Sequence, residues 1–224
     1  MTENFDFLKN PFEGLETSNV TGIQNKFEKI AKNLFENYGI KCGDKIFRFA
    51  EIELYYYKKE EGSKKNWDDT WNRETYPRNK NAGEIFFHYS GADICFQCHF
   101  DERERKNEYG EFGGILIRSL LDGDKIIAGP LFCANTILNT CKNEMPILKS
   151  NTSQSYKFEK TIRCGIKSDE NQEKGKELFL CYYATSVNDK ILLWDKTSER
   201  IVWDKKNGEF NNKTRNYKRE RKFY

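Results

Sequence analysis

Two carboxylates and a guanidinium sit inside apolar stretches of this chain. Glu51 and Glu53 lie in the run Lys45 to Tyr57, and Arg118 lies in the run Gly113-Gly114-Ile115-Leu116-Ile117-Arg118. A charge in such surroundings needs a partner or a task, because an unpaired buried charge is costly. On a strand, residues two apart share a face, so Glu51 and Glu53 would stand side by side as an acid–base pair. By base rates such a pair is the charged face of an edge strand. Arg118 shifts the balance, because a carboxylate partner is the natural way to satisfy a guanidinium in an apolar run. A register slip of one residue would exchange the roles of Glu51 and Glu53, so either can be the one that faces a pocket.

Cys95-Phe96-Gln97-Cys98-His99 matches the spacing of covalent haem attachment, but that chemistry accompanies export and the chain opens on MTENFDFLKN, with no basic and apolar leader pattern. On a strand, residues three apart point to opposite faces, so the two thiols would not converge. With only two histidines and no second CxxC, a closed zinc site is equally unsupported, and no metal is expected. No phosphate-cradling glycine motif occurs.

The elements that must position these residues can be read from periodicity. Ile23, Phe27, Ile30, Ala31, Leu34 and Tyr38 recur at helical spacing, with Thr21 as cap and Gly39 as stop. Lys45 to Tyr57 reads as a strand, rich in Ile, Phe and Tyr. Ile85 to Phe100 reads as a hairpin broken near Ser90-Gly91, Gly114 to Leu121 as a buried strand, and Leu131 to Cys141 as a short helix. Tyr156 to Ile166, Leu178 to Ala184, Ile191 to Trp194 and Ile201 to Trp203 read as further strands. The repeated Trp194-Asp195-Lys196 and Trp203-Asp204-Lys205 mark a hairpin. Residues 1–20 read as an irregular lead-in, and Lys58 to Asn81 and Asp101 to Phe112 as polar connectors. Strands outnumber helices without βα alternation, which predicts an α+β fold: one domain around a curved, mainly antiparallel sheet with flanking helices.

At 224 residues the chain can bury one large core, and no Pro/Gly/Ser-rich linker divides it. Residues 1–204 form the expected domain. The remainder, 205–224, is a tail holding eight basic residues against Glu209 and Glu220, interleaved with Phe210, Tyr217, Phe223 and Tyr224. Such a tail suits a phosphate backbone with stacked bases, and it equally suits a solvated terminus. No apolar run reaches membrane-spanning length, and the expected location is the cytoplasm. The seven cysteines have no framework spacing, which predicts buried thiols rather than disulfides.

The order of these pieces resembles the alkyladenine (3-methyladenine) DNA glycosylases. That family carries an ETEAY motif, a PRN loop, a GxLYVY strand ending in glycine, a cysteine-containing strand and an LLRALEP strand. The corresponding pieces here are Glu51-Ile52-Glu53-Leu54-Tyr55, Pro77-Arg78-Asn79, Gly83 to His88 with Gly91, Cys95 to Gln97, and Leu116-Ile117-Arg118-Ser119-Leu120. Further on, Gly129-Pro130-Leu131-Phe132-Cys133 resembles the family's NGPGKLC helix start, Ile162-Arg163-Cys164-Gly165-Ile166 its PRIGI strand, and Phe179 to Ala184 its LRFYV strand. The likeness is collinear over roughly residues 25–190.

The resemblance implies a monofunctional enzyme that hydrolyses the N-glycosidic bond of a modified base in DNA, alkylated or hypermodified as in phage DNA. It would leave an abasic site, as in base excision repair. It implies no cofactor and a monomer working on DNA. Glu53 would be the base that activates water, with Arg118 and the backbone carbonyl near Cys164 holding that water. Tyr55 and His88 would stack on the flipped base, Gln97 would replace the family's asparagine on the pocket floor, and Tyr89 would be the wedge. Arg78, Lys218, Arg219 and Arg221 would contact DNA. The chain departs from the pattern in three places: the segment after Tyr55 lacks the base-contacting histidine, the turn after His88 is one residue short, and Asp101 to Phe112 is inserted. The bond-breaking machinery matches better than the duplex-reading machinery. The alternative is a protein that binds a nucleotide or nucleotide signal in the same pocket without cutting it, and a purely structural role is the third reading.

Overall fold

A computed structural model of the chain describes residues 5–16, 19–59, 81–98, 110–142, 144–150, 155–161, 181–187, 190–195 and 200–203. The Pro77-Arg78-Asn79 loop, the segment containing Cys164 and the tail with Lys218, Arg219 and Arg221 lie outside these residues. Among them are two α-helices and one curled, antiparallel sheet of eleven strands, the α+β architecture expected from the pattern.

Helix α1 (Val20–Asn37) buries Ile23, Phe27, Ile30, Ala31, Leu34 and Phe35. Its cap is Asn19 rather than Thr21: the Asn19 side chain accepts from the Gly22 N–H at 2.8 Å, satisfying one of the open amides of the first turn. The helical spacing runs on to Tyr38, but the helix does not. Tyr38 opens strand β1 (Tyr38–Cys42), which pairs with β2 (Lys45–Lys59) on one side and β7 (Ile147–Ser150) on the other. Gly39 therefore lies in a strand, where a methyl group would come within 2.7 Å of the Phe47 carbonyl oxygen. Cross-strand pairing has overridden the helical period.

Strand β2 is the centre of the sheet. It pairs with β5 (Gly110–Asp122) along most of its length and with β9 (Cys181–Val187) near its middle. Beyond β5 come β4 (Gly91–Cys95) and β3 (Ile85–His88), joined as the expected hairpin. Beyond β9 come β10 (Lys190–Asp195) and β11 (Arg200–Trp203), paired as the repeated Trp-Asp motif predicts. Strand β6 (Lys125–Ala128) folds back on β5, and β8 (Tyr156–Thr161) pairs with β9.

The core fills the face of the sheet that carries Ile52, Leu54, Tyr56, Ile94, Phe96, Ile115 and Ile117, with α1 packed over it. Residues 5–16 of the lead-in contribute to this core. Leu8 and Phe12 are fully buried, and the Phe12 ring lies 4.0 Å from that of Tyr56 and 4.8 Å from that of Phe27. Backbone bonds from Asn10 N to Gln97 O (2.6 Å) and from Gln97 N to Leu8 O (3.0 Å) tie the lead-in to the segment after β4. Arg48 is buried beside Tyr156, its guanidinium carbon 5.4 Å from the ring centre, a cation–π contact in place of hydrogen bonds that its nitrogens do not make.

Helix α2 (Pro130–Cys141) begins after Gly129, whose φ of 103° is open to glycine and strained for other residues. It buries Cys133, Ala134, Ile137 and Cys141 and packs across β4 and β5. Gly91 makes that approach possible, because a methyl group there would sit 2.9 Å from Pro130 Cβ and 3.0 Å from Leu116 Cδ1.

Candidate functional site

The charges singled out from the sequence meet on one face of the central strands. Arg118 Nε donates to Glu51 Oε1 at 2.8 Å and Arg118 Nη1 to Glu53 Oε2 at 2.5 Å. Glu51 and Glu53 are 3% and 2% exposed, so two carboxylates and one guanidinium share a site from which water is largely excluded. Burial alone would push Arg118 down, but the fields of Glu53 and Glu51 outweigh it and hold the guanidinium well above its ordinary range.

An irregularity in the β2–β5 ladder makes this cluster possible. Phe49 pairs with Leu120, Glu51 with Ser119 and Ile52 with Ile117, which leaves Ala50 and Arg118 each without a register partner. Consecutive residues of a regular strand point to opposite faces; at this bulge Arg118 and Ser119 both reach Glu51. Ser119 Oγ donates to Glu51 Oε2 at 2.9 Å. The Arg118 carbonyl, turned out of the ladder, accepts from Gly129 N–H at 2.8 Å, and the Cys133 thiol lies 3.5 Å from it. The bulge thus couples the start of α2 to the charged cluster.

The two carboxylates are not equivalent. Glu51 receives Arg118 Nε, Ser119 Oγ and, at 3.5 Å, the Cys181 thiol, so three of its roughly four lone-pair sites are taken. Glu53 receives Arg118 on one oxygen and the Tyr55 hydroxyl at 2.6 Å on the other. About two acceptor sites remain on Glu53, enough to hold a water molecule and take its proton. Glu51 is the anchor of the cluster and Glu53 its chemically available member. Cys181, paired in register with Glu53, is driven up by burial first and by Glu51 and Glu53 next, which keeps it a neutral thiol.

A cross-strand row continues the site away from Glu53. In register, Glu53 lies opposite Leu116, Leu116 opposite Asp93, and Asp93 opposite Phe86. Directly paired residues share a face, so Asp93 stands on the same side as Glu53. By strand spacing it is two strands, or roughly 10 Å, away. The neighbouring rows carry Tyr55 opposite Gly114 and Gly114 opposite Cys95, and His88 opposite Gly91. Tyr55 and His88 are half-buried on this face, with the His88 ring near-parallel to that of Phe86 at 6.2 Å.

Asp93 was not among the sequence candidates, although a carboxylate between Ala92 and Ile94 carries the same signal that singled out Arg118. It is 1% exposed and its Oδ1 lies 3.3 Å from His88 Nε2. Ser119 and Cys181 were also missed, because nothing in the sequence announces the bulge that aims Ser119 or the register that brings Cys181 to Glu53. Tyr89 is 86% exposed at the tip of the β3–β4 turn, and Leu131 and Phe132 at the start of α2 are also large exposed apolar side chains. Gln97 does not join the cluster: its backbone is bonded to the lead-in and its side chain is exposed. Neither Cys95, which closes β4, nor Cys98 beyond it is in a disulfide.

An open cavity of about 390 Å³ lies elsewhere, between the β1–β2 turn and the end of α2, where Cys42, Lys45, Cys141 and Lys142 line it. Lys45 and Glu53 are eight residues apart on β2, roughly 25 Å along the strand, so this cavity does not serve the carboxylate cluster. No group of three or more metal-ligating side chains occurs among the described residues, and no helix there is long and apolar enough to cross a membrane. Comparison with family models, with curated proteins and with solved structures finds no match to this chain.

Proposed function

We propose that this protein is a DNA glycosylase-like enzyme that hydrolyses the bond between a modified base and its deoxyribose, leaving an abasic site. The observation that carries this reading is Glu53: a buried carboxylate oriented by Arg118 and Tyr55, with acceptor capacity left for one water, on a face also lined by Tyr55 and His88. Breaking an N-glycosidic bond builds positive charge on the sugar. A fixed carboxylate stabilises that charge and accepts the proton of the attacking water. Arg118 holds Glu53 in place and offsets the second carboxylate, so that the cluster carries a net charge of about −1 toward the sugar. Half-buried Tyr55 and His88 supply flat surfaces for a base turned out of its stack.

Reading the same site as a nucleotide-binding pocket would need a cation for the phosphates. Arg118 is already divided between Glu51 and Glu53, which weighs against that role.

The test is abasic-site formation on duplex and single-stranded DNAs carrying alkylated, deaminated and hypermodified bases, comparing the wild type with Glu53→Gln. The expected result is alkali-labile sites from the wild type and a loss of about 10²–10⁴-fold in the variant. Equal cleavage by both proteins, or none by either on any base, would remove the proposal.

A further inference from the structure

Cys42 and Cys141 both line the open cavity of about 390 Å³ between the β1–β2 turn and the end of α2. Cys42 closes β1 and pairs in register with Lys45 across the turn Gly43-Asp44, and Cys141 is the last residue of α2. The two segments approach closely. A methyl group on Gly43 would lie 3.9 Å from Glu144 Oε2, and the Glu144 N–H donates to the Cys141 carbonyl at 2.9 Å. The thiols act on each other at this junction: burial first, then Cys141 as a hydrogen-bonding neighbour and as a charge, and last Glu144, push the Cys42 thiol well up.

Neither residue is in a disulfide, and they are 1% and 5% exposed. Such a pair carries a conflict that a single buried thiol does not. Either sulfur, once ionised, places a charge in a desolvated spot beside the other and near Glu144. A disulfide has no charge and no proton to give up, so closing the bond removes the conflict. Cys133 and Cys181 are as deeply buried, but their thiols are directed at the Arg118 and Ile127 carbonyls and at Glu51.

We propose that Cys42 and Cys141 are a redox site: they exchange with a low-molecular-weight disulfide that enters the cavity, and close to a disulfide of their own. The cavity is also lined by Lys45 and Lys142 and by Asp44 and Glu144, and charges of both signs suit a small disulfide bearing carboxylates and ammonium groups, as that of glutathione does. Cys141, the more exposed of the two, attacks first. Its sulfur, as the thiolate, bonds to one sulfur of the small disulfide, the S–S bond breaks, and the other half leaves as a thiolate and takes up the proton. Cys42 then loses its proton and bonds to the Cys141 sulfur, and the second half leaves as a thiol. The protein dithiol is oxidised and one small disulfide is reduced to two thiols. Because Cys42 is held as a neutral thiol, closure is slow, on the minutes-to-hours scale of uncatalysed exchange.

The bond closes a loop of about 100 residues that runs from β2 to β6 and contains Glu51, Glu53 and Arg118. A cross-link over such a loop stabilises the fold chiefly by restricting the unfolded chain. This site is separate from the Glu53 cluster, and either reading can fail without the other.

The test incubates the folded protein with oxidised glutathione, blocks the remaining thiols and reads the cysteine-containing peptides by mass. The expected product is a peptide pair joined through Cys42 and Cys141, lighter by two hydrogens than the sum of its parts and separated again by dithiothreitol. The oxidised protein should melt about 4–16 °C above the reduced one. Cys42→Ser should stop after the first step, with one glutathione on Cys141. Cys42 and Cys141 both still reduced, a glutathione on each without a cross-link, or a bond from either to a different cysteine would overturn the proposal. So would a Cys42–Cys141 bond that leaves Tm unchanged or lowers it, or a Cys42→Ser protein in which Cys141 stays unmodified.

Discussion

Removing the charge of Arg118 tests whether the cluster is held as described. In Arg118→Met, Glu51 and Glu53 remain buried at 3% and 2% exposure with no cation between them. Breaking a buried pair by deleting one partner costs about 3–5 kcal/mol, because the other charge is left uncompensated. In a chain of this size each kcal/mol moves the midpoint by about 2–4 °C, so Tm should drop by about 6–20 °C. The loss should also depend on pH. Folding of the variant avoids an unpaired buried carboxylate by taking up a proton, so its folded state binds more protons than its unfolded state and its stability falls as pH rises. The deficit should be small near pH 4, and it should be near its full size by pH 8. Arg118 itself adds no slope to the wild type. Its folded pKa is raised, so its contribution is fully present below its ordinary unfolded value, which covers every working pH. Urea and thermal unfolding of both proteins at pH 4, 6 and 8 measure this. Replacing all three residues by apolar ones of similar size should recover much of the loss. A variant within about 1 kcal/mol of the wild type at pH 8, or one with the same deficit at every pH, would refute the account.

Asn19→Ala should lower stability by about 1 kcal/mol through loss of the α1 cap, with Thr21→Ala inside about 0.5 kcal/mol; chemical denaturation that ranks them the other way would return the cap to Thr21. Phe12→Ala, which opens a hole between Tyr56, Phe27 and Phe96, should cost about 3–5 kcal/mol. A near-neutral result in the same assay would mean the lead-in is not core. Burial drives the Cys133 and Cys181 thiols well up, so at pH 8 the native protein should label slowly at both positions and rapidly once unfolded, as read by peptide mass. The stability they lend as neutral thiols is present below about pH 9 and is lost as pH rises past the unfolded value.

Much of the fold was legible because its signals are local. The apolar spacing of α1, the Tyr and Ile of β2, the break at Ser90-Gly91 and the paired Trp-Asp motifs each announce an element within a dozen residues. Glu51, Glu53 and Arg118 were legible as a cluster because a charge in an apolar run advertises its need for a partner. What the sequence hid was set by contacts far along the chain. Tyr38 keeps the helical spacing yet belongs to β1, because β2 and β7 claim its backbone strand and Phe5 and Phe7 pack its ring. Residues 5–16 look irregular since their one helical element is the short 3-10 turn Asp6–Leu8, but the core needs Leu8 and Phe12 to close. The bulge at Ala50 and Arg118 leaves no trace in either strand alone, and with it went the partnership of Ser119 and Glu51. Asp93 was legible by the same logic as Arg118 and was passed over.

The separation of its partners in the chain governs when this site comes into being. Arg118 reaches Glu51 across 67 residues and Cys181 reaches it across 130, so the members fall in three separated stretches: Glu51, Glu53 and Tyr55; Arg118 and Ser119; and Cys181. Closing such loops costs entropy before any contact repays it, which makes folding of this sheet slow relative to helical proteins of its size. Until β5 and β9 have docked on β2, both carboxylates are ordinary solvated side chains. The charged cluster is therefore absent from chains in which β5 and β9 have not yet docked on β2, and any property that depends on it appears only once these strands are in place.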